Sequence, residues 1–207
     1  MFDYCKTILF IIFMMLTINN CNSNINIASA SNFAYTLNKI NKIFINKTGM
    51  YCHINQGSTG YLCAQIKEKA PYDIFVSADS KKTEYIIKKK LGYKNYNEIY
   101  SYGKIILWKP IHNKIQNLYT KKIKKISISN KFLSPYGYST NKIIDLYKKK
   151  YISKKTYINT KNINDNFVFI STFNSDVGFI TLSQITQIKN KKNIIWNINK
   201  NLYNNIE

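Results

Sequence analysis

The stretch Gln56–Asp79 constrains the fold of this chain more than any other part of the sequence. It reads QGSTGYLCAQIKEKAPYDIFVSAD, so a loop of glycine and hydroxyl residues precedes a helix-like run. Pro71 ends that run, and the β-rich segment Tyr72–Ser77 follows it. Amides in the first turn of a helix lack intrahelical partners and attract negative charge. This order of loop, helix and strand predicts an α/β fold with an anion cradle at Gly57–Gly60.

A similar strand, loop and helix precede this stretch. The segment Asn24–Ala30 alternates isoleucine with small or polar residues, as a short strand does, and a helix is predicted after it. Ser31 and Asn32 stand at the junction, where they could cap the helix or bind a ligand. The predicted core-facing residues of this helix are Phe33, Leu37, Ile40 and Phe44. Two such junctions on one edge of a parallel sheet are typical of a ligand site.

Strands and helices continue to alternate in the second half of the chain. Strands are predicted at 105–108, 126–129, 157–158, 177–180 and 194–196, and helices near 134, 162 and 182. Asn164 or Asp165 is expected to cap the helix near 162. Asp79 is expected to cap the lysine-rich helix Lys81–Lys90. This alternation supports an α/β fold for the whole chain.

Residues 1–23 are typical of a secretory signal peptide. Lys6 precedes the apolar run Ile8–Leu16, which is too short to span a bilayer, and polar residues follow it. We therefore expect export to the periplasm or another extracytoplasmic compartment. Cys21 stands where a lipoprotein cysteine could, but residues 18–20 lack the small residue expected before it, which argues against a lipid anchor.

The formal net charge of +21 raises nucleic acid or an anionic membrane as a partner. The charge is carried mostly by lysines scattered among Asn, Ile and Tyr from end to end, with no arginine-rich stripe. Such a bias is typical of drift in an AT-rich genome. We therefore expect no nucleic-acid partner, and a basic nucleic-acid-binding protein is kept only as an alternative from another class.

Side chains suited to catalysis or metal binding are few. Hydroxyls in the two loops could act as nucleophiles, but neither His53 nor His112 belongs to a recognisable base arrangement. No zinc-ligand spacing recurs in the sequence. We expect no enzyme activity, no cofactor and no direct metal-cation ligands. Whether Cys52 and Cys63 form a disulfide is left open.

A series of sequence blocks resembles the periplasmic molybdate-binding proteins of ABC transporters. The blocks are SASNF at 29–33, GSTG at 57–60, APYDIFVSAD at 70–79, YGKIILW at 102–108, ISISN with PYG at 126–137 and DVGFITLSQI at 176–185. The resemblance implies a two-lobed type II periplasmic-binding-protein fold of the α/β class, with the ligand in the cleft between the lobes. It implies lobe I at 24–102, with 197–207 as a candidate return segment, and lobe II at 103–196.

The resemblance also implies a set of oxyanion ligands. The set consists of Ser31, Asn32, Thr59 and the adjacent Ser58 from lobe I, and of Tyr136 and the backbone N–H of Ile163 from lobe II. Many members of the family have a ligand-binding tyrosine at the position of Thr181. This chain has threonine there, and Thr181 is left out of the predicted set.

The function implied by the resemblance is a monomeric, non-enzymatic receptor that delivers molybdate or tungstate to a membrane permease. Convergent neutral donors can replace the hydration of a dianion, whereas a protonated phosphate would need an acceptor for its own hydrogen. A sulfate or general oxyanion receptor is one alternative. The family continues beyond the region that matches Ile194–Tyr203, so a C-terminally truncated, degenerate copy with impaired binding is another.

Overall fold

The structure is a computed structural model that describes residues 24–110, 123–147, 155–188 and 194–207, the last range without the side chains of 194–197. The predicted signal peptide at 1–23, with Cys21, lies outside these residues, as does His112. In the part of the chain that the structure describes, no helix has the length and apolar character needed to cross a bilayer.

The first sheet has three parallel strands. Strand β1 (Ile25–Ala30) lies between β2 (Cys52–Gly57) and β3 (Ile74–Val76). The register pairs Ala30 with Gly57 on one side and Ser29 with Val76 on the other. The carboxyl ends of all three strands therefore lie at the same edge of the sheet, as the sequence predicts.

Three helices accompany this sheet and form lobe I with it: α1 (Ala34–Thr48), α2 (Thr59–Lys67) and α3 (Ser80–Lys88). Gly49 ends α1 in the left-handed conformation, with φ 73°, and its N–H donates to the carbonyl of Ile45. The Asp79 carboxylate accepts from the N–H of Lys81 at 3.0 Å. The predicted capping of α3 by Asp79 is confirmed.

The buried face of α1 differs from the predicted one. Ala34 and Leu37 are buried, but the Ile40 side chain is 48% exposed, so the prediction that Ile40 faces the core is wrong. Asn41 lies on the inner side instead, and its Nδ2 donates to the carbonyl of Cys52 at 3.1 Å. At 3.6 residues per turn, the residue four positions after Leu37 lies on the same buried face of the helix, whereas the residue three positions after it is turned away.

The second sheet has five strands in the order β6-β5-β7-β4-β8. The strands are β4 (Ile105–Trp108), β5 (Lys125–Ser129), β6 (Thr156–Thr160), β7 (Val177–Thr181) and β8 (Ile194–Asn197). Strand β5 is parallel to β6 and β7, while β4 is antiparallel to β7 and β8. The Asp176 carboxylate accepts from the N–H groups of Lys124 and Lys125 at 2.7 and 2.8 Å, which joins the starts of β5 and β7.

Two α-helices and a 3-10 helix complete lobe II: α4 (Pro135–Tyr147), α5 (Ile163–Ser171) and the 3-10 helix Leu182–Gln187. The cap of α5 is Asn162, whose Oδ1 accepts from the N–H groups of Asn164 and Asp165, both at 2.9 Å. The prediction that Asn164 or Asp165 caps this helix is therefore wrong. The extended backbone of Asn162 lets its side chain reach back over the first turn.

One apolar cluster spans both lobes. Ala30 and Ala78 from lobe I pack in it with Phe179 and other buried residues of lobe II, and with Tyr203 and Ile206 near the C-terminus. The carbonyl of Ile206 accepts from the N–H of Gly103 at 2.7 Å. The C-terminal residues thus pack on the region where the chain passes between the lobes.

Cys52 and Cys63 are free thiols in the structure. Cys63 is buried in α2, and burial raises the pKa of its thiol. The disulfide that the sequence left open is therefore not formed here.

Candidate functional site

All predicted ligand residues lie just after the carboxyl ends of parallel strands. Ser31 and Asn32 follow β1, and Ser58 and Thr59 follow β2. Tyr136 and Ile163 lie in the first turns of α4 and α5, which follow β5 and β6. In open parallel sheets this edge is where ligands bind.

The loop after β1 is held by backbone contacts. The N–H of Ser31 donates to the carbonyl of Gly57 at 2.9 Å, which joins the ends of β1 and β2. The N-cap of α1 is Phe33, which makes no side-chain capping bond. The structure therefore does not use Ser31 or Asn32 as the cap that the sequence allowed.

Thr59 is the first residue of α2, and its side chain is only 1% exposed. Its Oγ1 accepts from the N–H of Ala78, just after β3, at 3.3 Å. A hydroxyl that accepts an N–H still has its own proton to donate. Ser58 is the N-cap of the same helix and is also buried, but its side chain makes no capping bond.

Tyr136 belongs to lobe II, and its side chain is 2% exposed. Its phenol oxygen accepts from Nδ2 of Asn32 in lobe I at 3.4 Å. Burial is the main cause that raises the pKa of this phenol well above its usual range, with smaller contributions from Tyr100 and Tyr203 and an opposing one from Asn32. The phenol is therefore protonated at neutral pH and keeps a proton to donate.

Gly103 provides the space that Tyr136 needs. A Cβ atom at position 103 would overlap the phenol oxygen of Tyr136 and would lie 3.0 Å from Cγ2 of Ile206. Any larger residue at position 103 would therefore displace the phenol from Asn32.

Ile163 is the first residue of α5. Its backbone amide belongs to the first turn, where N–H groups have no intrahelical partner. Its side chain packs in the cluster that also contains Ala30, Ala78 and Tyr136. The position can therefore offer an amide donor from the helix end and an apolar wall beside it.

The two lobes touch across the cleft. The N–H of Gly60 in α2 donates to the carbonyl of Leu133, which precedes α4, at 2.9 Å. A cavity of about 440 Å³ is lined by residues of both lobes, among them Asn32, Tyr136 and Lys104. Of the predicted ligand residues, Asn32 and Tyr136 line this cavity.

Thr181 ends β7 and serves a structural role. Its Oγ1 accepts from the N–H of Gln184 at 3.2 Å, and Oε1 of Gln184 accepts from the N–H of Thr181 at 3.0 Å. This reciprocal pair is a capping box at the start of the 3-10 helix. The hydroxyl at the position of the family's tyrosine is thus engaged within lobe II.

The hydrogen bonds that Ala78, Leu133 and Gln184 make around the site were not predicted from the sequence. Ala78 and Leu133 act through backbone groups, for which no side-chain pattern exists. The spacing Thr181-x-x-Gln184 is a capping-box signature and could have been recognised.

Known proteins resemble this chain in sequence and in structure. A family model described as bacterial extracellular solute-binding protein matches residues 25–207. The molybdate-binding protein ModA of Azotobacter vinelandii is 28% identical over 79% of this chain and 66% of its own length. ModA of Rhodobacter capsulatus is 24% identical over 87% of this chain and 72% of its own length. The match thus spans just under two thirds of the Azotobacter relative.

The solved structure of the Azotobacter vinelandii periplasmic molybdate-binding protein superposes with a TM-score of 0.75 and 26% identity. The match covers 88% of this chain and 82% of that one. The two-lobed type II periplasmic-binding-protein fold implied by the sequence blocks is thereby confirmed. With the family model matching nearly all of the described residues, the chain belongs to the bacterial extracellular solute-binding protein family.

Proposed function

We propose that this chain is the extracytoplasmic substrate-binding component of a molybdate or tungstate ABC transporter. It captures the tetrahedral oxyanion between its lobes and delivers it to a membrane permease, without catalysing a reaction. The similarity to two molybdate-binding proteins supports this proposal, as does the donor chemistry of the cleft.

The observation that carries the proposal is the hydrogen bonding of two buried hydroxyls on opposite lobes. Oγ1 of Thr59 accepts from a backbone N–H, and the phenol of Tyr136 accepts from the Asn32 amide. Each hydroxyl oxygen already accepts one hydrogen bond, and its own proton remains available to donate to a ligand. A fully deprotonated oxyanion accepts from both.

Neutral donors hold the dianion in this proposal. None of the proposed ligand residues Ser31, Asn32, Ser58, Thr59, Tyr136 and Ile163 carries a formal charge. The first turns of α2 and α5 add backbone amides and the positive ends of helix dipoles. None of these residues has a carboxylate that could accept the hydrogen of a protonated phosphate, which favours molybdate, tungstate and sulfate over phosphate.

The remaining parts of the proposal concern the whole chain. Lobe I comprises residues 24–102, with 197–207 returning to it, and lobe II comprises residues 103–196. Closure of the lobes on the ligand shifts the population from open to closed forms. The protein acts as a monomer without a nucleic-acid partner, and residues 1–23 direct its export.

Titration calorimetry of the purified chain with sodium molybdate, tungstate, sulfate and phosphate tests the proposal. We expect tight binding of one molybdate or tungstate per chain, weaker sulfate binding and no phosphate binding. Equal competition by sulfate would favour the general oxyanion receptor. The absence of both binding heat and a thermal shift at saturating molybdate and tungstate would contradict the proposal. That result would favour a degenerate copy.

A further inference from the structure

A chain of hydrogen bonds runs from the start of α5 to the end of β7. Gln184 is 1% exposed, and its Nε2 donates to the carbonyl of Ile163 at 3.2 Å. Its Oε1 accepts from the N–H of Thr181 at 3.0 Å. Gln184 thereby holds the first residue of α5 against the end of β7.

The chain of bonds continues through Ser183 into lobe I. Oγ of Ser183 lies 2.7 Å from Oγ1 of Thr181 and donates to the backbone carbonyl of Asn32 at 3.4 Å. The single Ser183 proton is used toward Asn32, so the Thr181 hydroxyl donates to Ser183. Thr181 still accepts from the N–H of Gln184 at 3.2 Å, so the bonds are mutually consistent.

We propose that Ser183 is a positioning residue for oxyanion capture, which bonds the Asn32 carbonyl when the lobes are closed. The inference rests on the proposed function. Asn32 is then held by lobe II at two points, through its carbonyl by Ser183 and through its side-chain amide by Tyr136. Through Thr181 and Gln184, the same bonds connect the lobe I loop to the Ile163 end of α5.

The position of Ser183 distinguishes this role from simple capping. Thr181 and Gln184 already make the reciprocal capping bonds of the 3-10 helix, and those bonds do not involve the Ser183 hydroxyl. Ser183 is exposed, and its bond to Asn32 joins residues 151 positions apart in the chain. In this proposal the Ser183–Asn32 bond forms only when the lobes close, so its loss should speed ligand release and leave ligand entry unchanged.

The test compares Ser183→Ala with Ser183→Thr, which keeps the hydroxyl. Ser171→Ala is the matched control, because among the residues that the structure describes the Ser171 hydroxyl bonds within α5, to the carbonyl of Phe167. Molybdate affinity is measured by calorimetry, and its release is followed by intrinsic fluorescence during displacement with excess tungstate. Thermal unfolding of the ligand-free variants reports on folding.

We expect Ser183→Ala to raise the molybdate Kd by about two- to tenfold, the effect of one neutral hydrogen bond, mainly through faster release. Ser183→Thr should restore the original affinity, and the ligand-free Tm of Ser183→Ala should fall no further than that of Ser171→Ala, because each loses one hydrogen bond within lobe II. An unchanged Kd in Ser183→Ala, or a loss that Ser183→Thr does not restore, would overturn the inference alone. Failure of the unaltered protein to bind molybdate would overturn the proposed function as well.

Discussion

At the scale of single residues, Thr59 makes the most testable contribution to the proposed site. Thr59→Ala removes the hydroxyl but leaves the backbone amide, and we expect a loss of about 10- to 100-fold in molybdate affinity, as for a hydrogen bond to a charged group. Calorimetry measures the loss. Lys81→Ala, at an exposed lysine of α3, should change the affinity far less.

Thr59→Ser is the matched variant, because it retains the hydroxyl that accepts from Ala78. It should bind molybdate nearly as the unaltered protein does. Equal losses in Thr59→Ala and Lys81→Ala would instead attribute anion binding to diffuse positive charge.

The phenols near the cleft lead to a prediction about pH. Burial raises the pKa of Tyr100 to about 12 and that of Tyr136 further in the same direction. The Tyr136 proton is therefore retained, and molybdate affinity should not fall through phenol ionisation between about pH 7 and pH 9. Affinity measured by calorimetry across this range checks the expectation.

The same shifts determine how stability responds to alkali. The folded form holds these protons more tightly than the unfolded chain, whose tyrosines ionise near pH 10. Their stabilising effect is complete below about pH 10 and is lost as the pH rises through about 12 for Tyr100. Ultraviolet titration of the folded protein should show some tyrosines that ionise at a higher pH than free tyrosine does. Normal ionisation of all tyrosines in the folded protein would contradict this account.

At the scale of secondary-structure elements, we expect the contact of α2 with the loop before α4 to limit how far the lobes can close. A Cβ atom at Gly60 would lie 2.9 Å from the carbonyl oxygen of Leu133 in the other lobe. Within a helix, however, alanine is more favourable than glycine by about 1 kcal/mol. We therefore expect Gly60→Ala to retain or raise ligand-free Tm while it weakens molybdate binding.

Gly137→Ala gives the contrasting result. Its Cβ would overlap the carbonyl oxygens of Ser129 and Asn130 within the same lobe, where no opening motion can relieve the clash. We expect a lower Tm in Gly137→Ala, measured by thermal unfolding. If Gly60→Ala instead bound molybdate as the unaltered protein does, the contact of Gly60 with Leu133 would not be needed for closure.

At the scale of the whole molecule, the net charge of +21 and the neutral donors should affect different kinetic steps. A positively charged protein attracts a dianion over long distances, and salt screens this attraction. Added salt should therefore slow the association of molybdate. In the proposed site the bound anion contacts neutral groups, so its release should change little. Stopped-flow fluorescence at low and high NaCl measures both rates. Release that speeds up strongly with salt would indicate charged contacts in the site.

The order of strands and helices could be predicted because it follows from local patterns. Alternating apolar residues, the glycine at 49 and the proline at 71 act on their immediate neighbours in the chain. The predictions were wrong where the structure does not depend on neighbouring residues alone. The orientation of Ile40 depends on the phase of the whole helix, and the cap at Asn162 depends on a backbone conformation that the sequence does not show.

By itself, the sequence determined the α/β class and, through its ordered blocks, the family resemblance, because both depend on residues close together in the chain. Only the tertiary structure decided which polar groups meet. Asn32 reaches Tyr136 across 104 positions, and Thr59 receives the N–H of Ala78. The first contact depends on how the two lobes pack together, and the second depends on how α2 packs against the end of β3 within lobe I. That packing leaves the hydroxyl protons of Thr59 and Tyr136 as donors, which no local pattern encodes.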